Sequence, residues 1–190
     1  MKTNFNDCLE LITDPDIKKF TKKALKRANK GFWTSACSST GKFHPPENQL
    51  KGGIVIHSRK MVQIAVSLFR FFKIEDPTTQ SQIISAVILH DICKRGKKWE
   101  VGFARDHGPL ASEWLYKLCS KDEKSNKNIL FILALVRNHM AVWNFPSSTP
   151  ALKKDKVLKN TDIAHLVVQL ADYWSSRKWC PFYIDEIVQA

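Results

Sequence analysis

Apolar residues recur at spacings of three and four through most of the chain, the pattern of helices with one buried face. The clearest stripe consists of Ile17, Phe20, Ala24, Leu25 and Ala28. Asp14, Pro15 and Asp16 precede this stripe and provide a helix cap and a first turn. Gly31 follows the stripe and is a typical helix end. The pattern therefore predicts one helix that begins after Asp14 and ends at about Lys30.

Five further helices are predicted from the same periodicity, over 54–73, 79–92, 107–119, 129–140 and a last stretch that begins at Thr161-Asp162. The helix over 79–92 is the most apolar and is expected at the centre. No alternating pattern typical of a strand and no internal repeat is visible. The predicted fold class is therefore all-α, a helical bundle.

Length and cysteine usage favour one domain in a reducing compartment. The 190 residues suffice to bury a core without disulfides. Five cysteines form no CxxC pair and leave an odd thiol, so neither a zinc ribbon nor a disulfide framework is predicted. No stretch approaches the roughly 20 apolar residues of a membrane span. We expect a cytoplasmic protein without membrane association; the oligomeric state stays open.

The charge balance favours anionic partners. The chain has 30 basic and 18 acidic residues and a formal net charge of +12. Basic residues crowd the first helix, where a solvated helix face explains them equally well, and they recur over 94–98 and 153–159. Anionic partners of this kind include phosphorylated small molecules, nucleotides and nucleic acid.

Four of the six histidines form an ordered series with two aspartates. The members are His57, His90, Asp91, His107, His139 and Asp172. Four imidazoles and two carboxylates are enough to hold two divalent cations, if they converge. His90 and Asp91 are adjacent, and neighbours on a helix point about 100° apart, so both can face one ion only at a helix end or an irregular turn.

Three motifs carry a resemblance to a known family. The stretch GGIVIHS at 52–58 resembles a GGLxxHS/T motif, LHDICK at 89–94 is similar to LHDIGK, and LAD at 170–172 resembles a late aspartate motif. On these motifs, which span roughly 43–175, the chain resembles the HD superfamily of metal-dependent phosphohydrolases. The resemblance implies a single HD domain over 1–190, with a helix and phosphate-binding-like loop over 1–53, a metal-binding core over 54–175 and an extension over 176–190.

The resemblance also implies a two-ion site. His57, His90, Asp91 and Asp172 would bind the first ion, and Asp91 would bridge to a second ion held by His107 and His139. Mn, Fe, Ni, Mg and Zn are all candidates, and the donor types do not choose among them. Asp91 would orient the attacking water, and Lys94 would neutralise charge on the phosphoryl oxygens. Cys93 replaces the motif's glycine, either as a small buried residue or as a redox-sensitive thiol.

The segment over 32–46 is rich in hydroxyls and includes one lysine. It is not a P-loop, because Ala36 replaces the first glycine and Phe43 replaces the Ser/Thr. It looks like the ASSxGKxHP lead-in of some HD proteins and, more loosely, of HD-type 3′-to-5′ exoribonucleases. On this reading the mouth of the site is lined by Ser38, Ser39, Lys42 and His44. His44 would be the acid for the leaving group; the alternative is an ordinary surface turn.

The expected function is metal-dependent hydrolysis of a phosphoester of a nucleotide, a cyclic or oligomeric nucleotide, or a nucleic-acid end. A 3′-to-5′ exonuclease on single-stranded RNA or DNA is an alternative of the same class. A non-catalytic module that binds nucleotide or nucleic acid is the alternative of another class. Competent residues at all six ligand positions favour the enzyme. His165 is interpreted as a packed helix residue outside the site.

Overall fold

The computed structural model describes residues 4–38, 44–97, 104, 106–140 and 163–182. Within these residues the chain is all-helical, as predicted, with eight α-helices and no strand. The helices are α1 (Asn6–Glu10), α2 (Pro15–Arg27), α3 (Lys30–Thr34), α4 (Gly53–Phe71), α5 (Pro77–Leu89), α6 (His107–Leu118), α7 (Lys127–Asn138) and α8 (Ile163–Ser175). Short 3-10 turns span Pro46–Gln49 and Glu123–Ser125.

The prediction of one helix through Lys30 is wrong, because the chain forms two helices there. The Asn29 side chain accepts a hydrogen bond from the Phe32 amide at 3.1 Å and thereby begins α3. Ala28, just before it, has a ψ of 139° and interrupts α2. Gly31, which was predicted to end the helix, lies inside α3.

The later helices lie where the periodicity predicts them, with small shifts at their ends. Helix α5 begins before the predicted residue 79, because Asp76 accepts a hydrogen bond from the Thr79 amide at 2.8 Å. It also ends earlier than predicted, so that His90 is its C-cap and Asp91 lies in the following turns. The predicted cap at Thr161-Asp162 lies outside the described residues.

Helix α5 is central, as its apolar sequence predicts. Every residue in its second half, from Ser81 to Leu89, is buried. It packs against α2, α4, α7 and α8, while α4 also packs along α8 and α6 along α7. This arrangement brings one end of each of α4 to α8 to the same region.

A buried ion pair joins the first residues to α4. The Arg59 guanidinium, 2% exposed, donates to both carboxylate oxygens of Asp7 at 2.7 and 2.6 Å and to the Asn4 carbonyl at 2.6 Å. Phe5 is equally buried and stacks on Phe32 with ring centroids 6.1 Å apart. Since Arg59 follows His57 closely on α4, the N-terminal segment supports the helix near its metal-ligand candidate.

All five cysteines are free thiols, which agrees with the predicted lack of a disulfide framework. Cys93 is 1% exposed, and burial raises the pKa of its thiol to about 12. This supports the interpretation of Cys93 as a small buried residue, because reactive cysteines have lowered pKa values. Of the helices in the described part of the chain, none has the length and hydropathy that a bilayer crossing requires.

Candidate metal centre

The six predicted ligands converge at helix ends. His57 lies near the start of α4 and His107 begins α6, while His90 and His139 cap the C-terminal ends of α5 and α7. Asp91 follows His90, and Asp172 lies in the last turn of α8. All six residues are buried, at 6% exposure or less. The residues are therefore brought together from five separate segments.

One group of ligand atoms surrounds the Oδ2 atom of Asp91. The His90 Nε2 atom lies 3.3 Å from this oxygen, and the His57 Nε2 atom lies 4.0 Å from it. His57 Nε2 is also 3.2 Å from His90 Nε2 and 3.1 Å from the Oδ1 atom of Asp172. These four residues form the first predicted set.

The other oxygen of Asp91 faces the second predicted set. His107 Nε2 lies 3.0 Å from Asp91 Oδ1, and His139 Nε2 lies 3.8 Å from it. The two Nε2 atoms are 3.2 Å apart. The Asp91 carboxylate therefore lies between two groups of imidazoles, which is the position of a bridging ligand.

The protonation of the rings indicates that a cation belongs between these atoms. The Nδ1 atoms of His90, His107 and His139 lie 2.7 to 3.0 Å from backbone carbonyls, which only accept hydrogen bonds. A neutral ring therefore carries its proton on Nδ1 and directs the Nε2 lone pair inward. Lone pairs then face one another and the carboxylate oxygens. A shared cation turns this repulsion into attraction, so the residues fit a metal ion.

The Oδ1 atom of Asp91 gives a second indication. It is buried, and with His107 in the Nδ1-protonated form it accepts no hydrogen bond from the part of the chain that the structure describes, although the His107 Nε2 atom lies 3.0 Å away. A buried carboxylate oxygen without a partner is costly. Coordination to a cation would satisfy it.

Electrostatics favour the metal-binding forms of His139, Asp172 and Asp91, whereas the Asp91 charge raises the pKa of His90 against the effect of burial. Burial, helped by the charges of His90 and His107, lowers the pKa of His139 to about 3. Burial alone would raise the pKa of Asp172, but the hydrogen bond and charge of His57 outweigh it and hold that pKa well below its usual range. The pKa of Asp91 is likewise held low, against burial, by His90 and Lys94. Neutral imidazole and ionised carboxylate are the ligand forms.

Lys94, predicted to contact a substrate phosphate, adjoins the centre. Its Nζ atom donates to Asp91 Oδ2 at 2.6 Å and lies 3.5 Å from the Sγ atom of Cys37. Burial would lower the pKa of Lys94, but the Asp91 charge dominates and raises it. Lys94 is thus a permanent positive charge beside the carboxylate, and its contact with a phosphate stays a prediction.

The predicted mouth is described only in part. Ser39 and Lys42 lie outside the described residues, and Ser38 is half-buried. His44 lies against His57, with ring centroids 5.4 Å apart, so it is beside the centre. Burial and then the positive charges of His57 and Lys94 lower the pKa of His44 to about 3. His44 is therefore neutral at pH 7, and its predicted role as an acid requires a bound anion that raises this pKa.

Two residues of the centre were not predicted. The Ser175 hydroxyl donates to the Asp172 carbonyl at 2.9 Å and accepts from His57 Nδ1 at 3.0 Å. Its spacing of three from Asp172 on one helix is the signal that could have found it. Cys37 is fully buried, and its Sγ atom lies 3.9 Å from Asp91 Oδ2. The sequence offers no comparable signal for Cys37.

The loop before α4 fixes Cys37 beside the centre. The Cys37 amide donates to the Asn48 carbonyl at 2.8 Å, and the Asn48 side chain donates to the Ser175 carbonyl at 3.2 Å. At Gly53 a Cβ atom would lie 2.0 Å from the Asn48 oxygen, so only glycine allows this close crossing. His165 lies elsewhere on α8, edge-on to the Phe131 ring at 5.8 Å, in agreement with its predicted packing role.

Comparison with known proteins identified no relative: no family model, curated protein or solved structure matches the chain. The description of the site therefore depends on its geometry. Groups of buried histidine, aspartate and cysteine side chains could hold a metal ion. The arrangement is compatible with an HD-type metal centre.

Proposed function

We propose that the protein is a metal-dependent phosphohydrolase or phosphodiesterase with a two-ion HD-type site. The observation that carries this proposal is the position of Asp91, whose two oxygens face separate pairs of histidines. Around each Asp91 oxygen, the histidine Nε2 atoms lie 3.0 to 4.0 Å from that oxygen, close enough for the donors to share one ion after small shifts. Asp172 completes the first group.

Asp91, Lys94 and His44 would each have a separate role in the hydrolysis. Two divalent ions, when bound, polarise a phosphoryl group and supply an activated water as nucleophile. Asp91 would orient that water through a carboxylate oxygen. Lys94 would donate to the phosphoryl oxygens, where negative charge increases during attack. His44 would protonate the leaving oxygen, because an anionic substrate nearby favours its protonated form.

The proposed substrate is a phosphoester of a nucleotide, a cyclic or oligomeric nucleotide, or a nucleic-acid end. The net charge of +12 and the lysine beside the centre both favour a polyanion. The charge also favours single-stranded RNA or DNA, and the HD resemblance suggests cleavage from the 3′ end. A polymer substrate would show a steep loss of affinity with salt, since binding releases counterions.

The test is turnover of a substrate panel with each of Mn²⁺, Fe²⁺, Ni²⁺, Mg²⁺ and Zn²⁺. The panel comprises cyclic nucleotides, a dinucleotide, dNTPs, a model phosphodiester and single-stranded RNA. Asp91→Asn should abolish turnover, because the amide can neither bridge two ions nor carry charge. Asp122→Asn is the matched control, since this carboxylate is exposed. A wild-type protein that turns over nothing, yet binds nucleotide or RNA, would indicate the binding module instead.

Metal content provides a separate prediction. The purified, metal-loaded protein should contain about two ions per chain. His107→Ala or His139→Ala should reduce this to about one, because each removes a ligand of the second group only. His165→Ala should keep two ions. Elemental analysis measures the ratio, and an unchanged ratio in the first two variants would contradict the two-ion assignment.

A further inference from the structure

We propose that Cys37, His44 and His57 form an additional cation position, with a preference for soft ions such as Zn²⁺ or Cd²⁺. One donor atom from each of these residues lies within 4.8 Å of the other two. This position adjoins the proposed hydrolytic site and shares His57 with its first group, while Cys37 and His44 belong to neither group. Its occupation does not depend on the proposed function.

The donor atoms lie close together, although Cys37 also contacts Lys94 and His57 also contacts Asp172 and Ser175. Cys37 is fully buried, and its backbone is held by the Asn48 carbonyl. The His44 Nδ1 atom is buried and makes no hydrogen bond within the described residues. The rings of His44 and His57 meet edge to face, with an interplanar angle of 70°. A buried ring nitrogen without a partner, next to a thiol, is satisfied by coordination.

The donor chemistry decides which ion this position takes. Thiolate is a soft ligand, which selects Zn²⁺ and similar ions over Mg²⁺ and Mn²⁺. Zinc accepts mixed cysteine and histidine ligands in tetrahedral sites, with bonds of about 2.0 to 2.3 Å. The three donors therefore need only a small contraction. Asp91 Oδ2, 3.9 Å from the Cys37 Sγ atom, could serve as a fourth ligand if it released its hydrogen bond from Lys94.

Metal binding at this position releases one proton and is opposed by one nearby positive charge. Burial raises the pKa of the free Cys37 thiol to about 12, so the thiol loses its proton to solvent only as the metal–sulfur bond forms. The Lys94 ammonium, 3.5 Å from Sγ, repels the incoming ion. Its flexible side chain can turn away, as it also must to contact a phosphate.

Because both positions use His57, a cation bound in the first group and a cation bound with Cys37 compete for this ligand. His57 Nε2 has one lone pair, which it gives either to the first group, near Asp172, or to the position with Cys37. A soft ion bound with Cys37 therefore withdraws a ligand from the first group. If the proposed hydrolysis is correct, excess Zn²⁺ inhibits the enzyme through this position.

Titration of the metal-free protein with Co²⁺ and Cd²⁺ tests the proposal. Both ions give a thiolate-to-metal charge-transfer absorption when sulfur coordinates them. The wild type should show this absorption, and Cys37→Ser should lose it together with about one bound ion per chain. His44→Ala should weaken it. Cys119→Ser, which changes a buried thiol at the far end of α6, should leave it unchanged.

Absence of the absorption in the wild type, or its persistence in Cys37→Ser, would overturn the proposal. A charge-transfer absorption in a protein without hydrolytic activity would support this position and refute the proposed function. If the protein is active with Mn²⁺, Cys37→Ser should also relieve inhibition by Zn²⁺. Equal inhibition of both proteins would overturn the competitive role.

Discussion

Each of the four histidines of the candidate metal centre makes a hydrogen bond through its Nδ1 atom. This bond orients the ring and leaves the Nε2 atom able to bind a cation. Three rings donate to the carbonyl three residues earlier, in the pairs His90–Val87, His107–Ala104 and His139–Val136. His57 instead donates to the Ser175 hydroxyl. Such partners fix both the tautomer and the orientation of metal ligands. The four histidine rings are therefore oriented for metal coordination by their own hydrogen bonds.

Ser175→Ala should weaken metal binding by about 10- to 100-fold, the usual loss when a partner behind a ligand is removed. The ring of His57 would lose the contact that orients it. Ser176→Ala is a close control, because Ser176 also donates to the Asp172 carbonyl at 2.9 Å, without a contact to His57. Competition with a chelator measures the affinities, and equal values for the two variants would contradict the role of Ser175.

The sequence could predict the six ligands, but not the contacts of the residues that adjoin them. The six ligands are chemically distinctive, and the HD resemblance orders them. Ser175 and His57 are 118 positions apart, and nothing local to either indicates their contact. Cys37 is similar, because its place depends on how the loop before α4 crosses Asn48.

At the scale of elements, glycine allows α6 to begin close to the end of α7. A Cβ atom at Gly108 would lie 2.8 Å from the Arg137 carbonyl oxygen and 3.2 Å from two atoms of the His139 ring. His107, just before Gly108, is therefore able to approach His139. The second group depends on this close helix contact.

Gly108→Ala should separate the two helix ends. The extra methyl group contacts backbone, which cannot turn aside, so we expect a loss of about 1 to 3 kcal/mol in the free energy of unfolding. Metal content should fall toward about one ion per chain, because His139 is displaced. Denaturant titration and elemental analysis measure the two effects. Full retention of metal would show that the helix ends can adjust.

Periodicity predicted the helices well, because each buries one apolar face, but it predicted their ends less well. The Asn29 cap begins a separate helix two residues after α2 ends, where the prediction extended the first helix to Lys30. The Asp76 cap and Pro77 begin α5 earlier than its apolar stripe suggests. In both cases a single side-chain hydrogen bond determines where a helix begins, and the spacing of apolar residues does not specify that position.

For the whole molecule, the buried histidines make stability depend on pH when no metal is bound. His139 has a pKa of about 3 in the fold, against about 6.5 when unfolded. Between these values the unfolded chain binds more protons, so stability is fully present above pH 6.5 and is lost as the pH falls. The expected loss for this residue from pH 7 to pH 5 is on the order of 2 kcal/mol.

Urea denaturation of the metal-free protein at the two pH values measures this dependence. His139→Gln should show a smaller difference, because glutamine does not titrate. His90, whose pKa is raised by the Asp91 charge against the effect of burial, contributes in the opposite direction in both proteins. An identical pH dependence in the wild type and the variant would contradict the low pKa of His139.

The convergence of the ligands is a property of the whole fold. Helix α5 was predicted to be central, and its contacts with α2, α4, α7 and α8 bear this out. The distances between ligand atoms, and the way Asp91 divides its oxygens between two groups, could not be predicted. They depend on helix packing that no local pattern specifies.

The ion pair between Arg59 and Asp7 limits how far the protein can be trimmed for crystallisation or display. A fragment that starts at α2 lacks Asp7 and the Asn4 carbonyl, and so leaves the guanidinium with no partner for its charge in the interior. The loss destabilises the fold, because the Arg59 charge is buried, although the Asp7 side chain is 33% exposed. The boundary of a minimal functional fragment therefore lies before Asn4, well upstream of the first histidine.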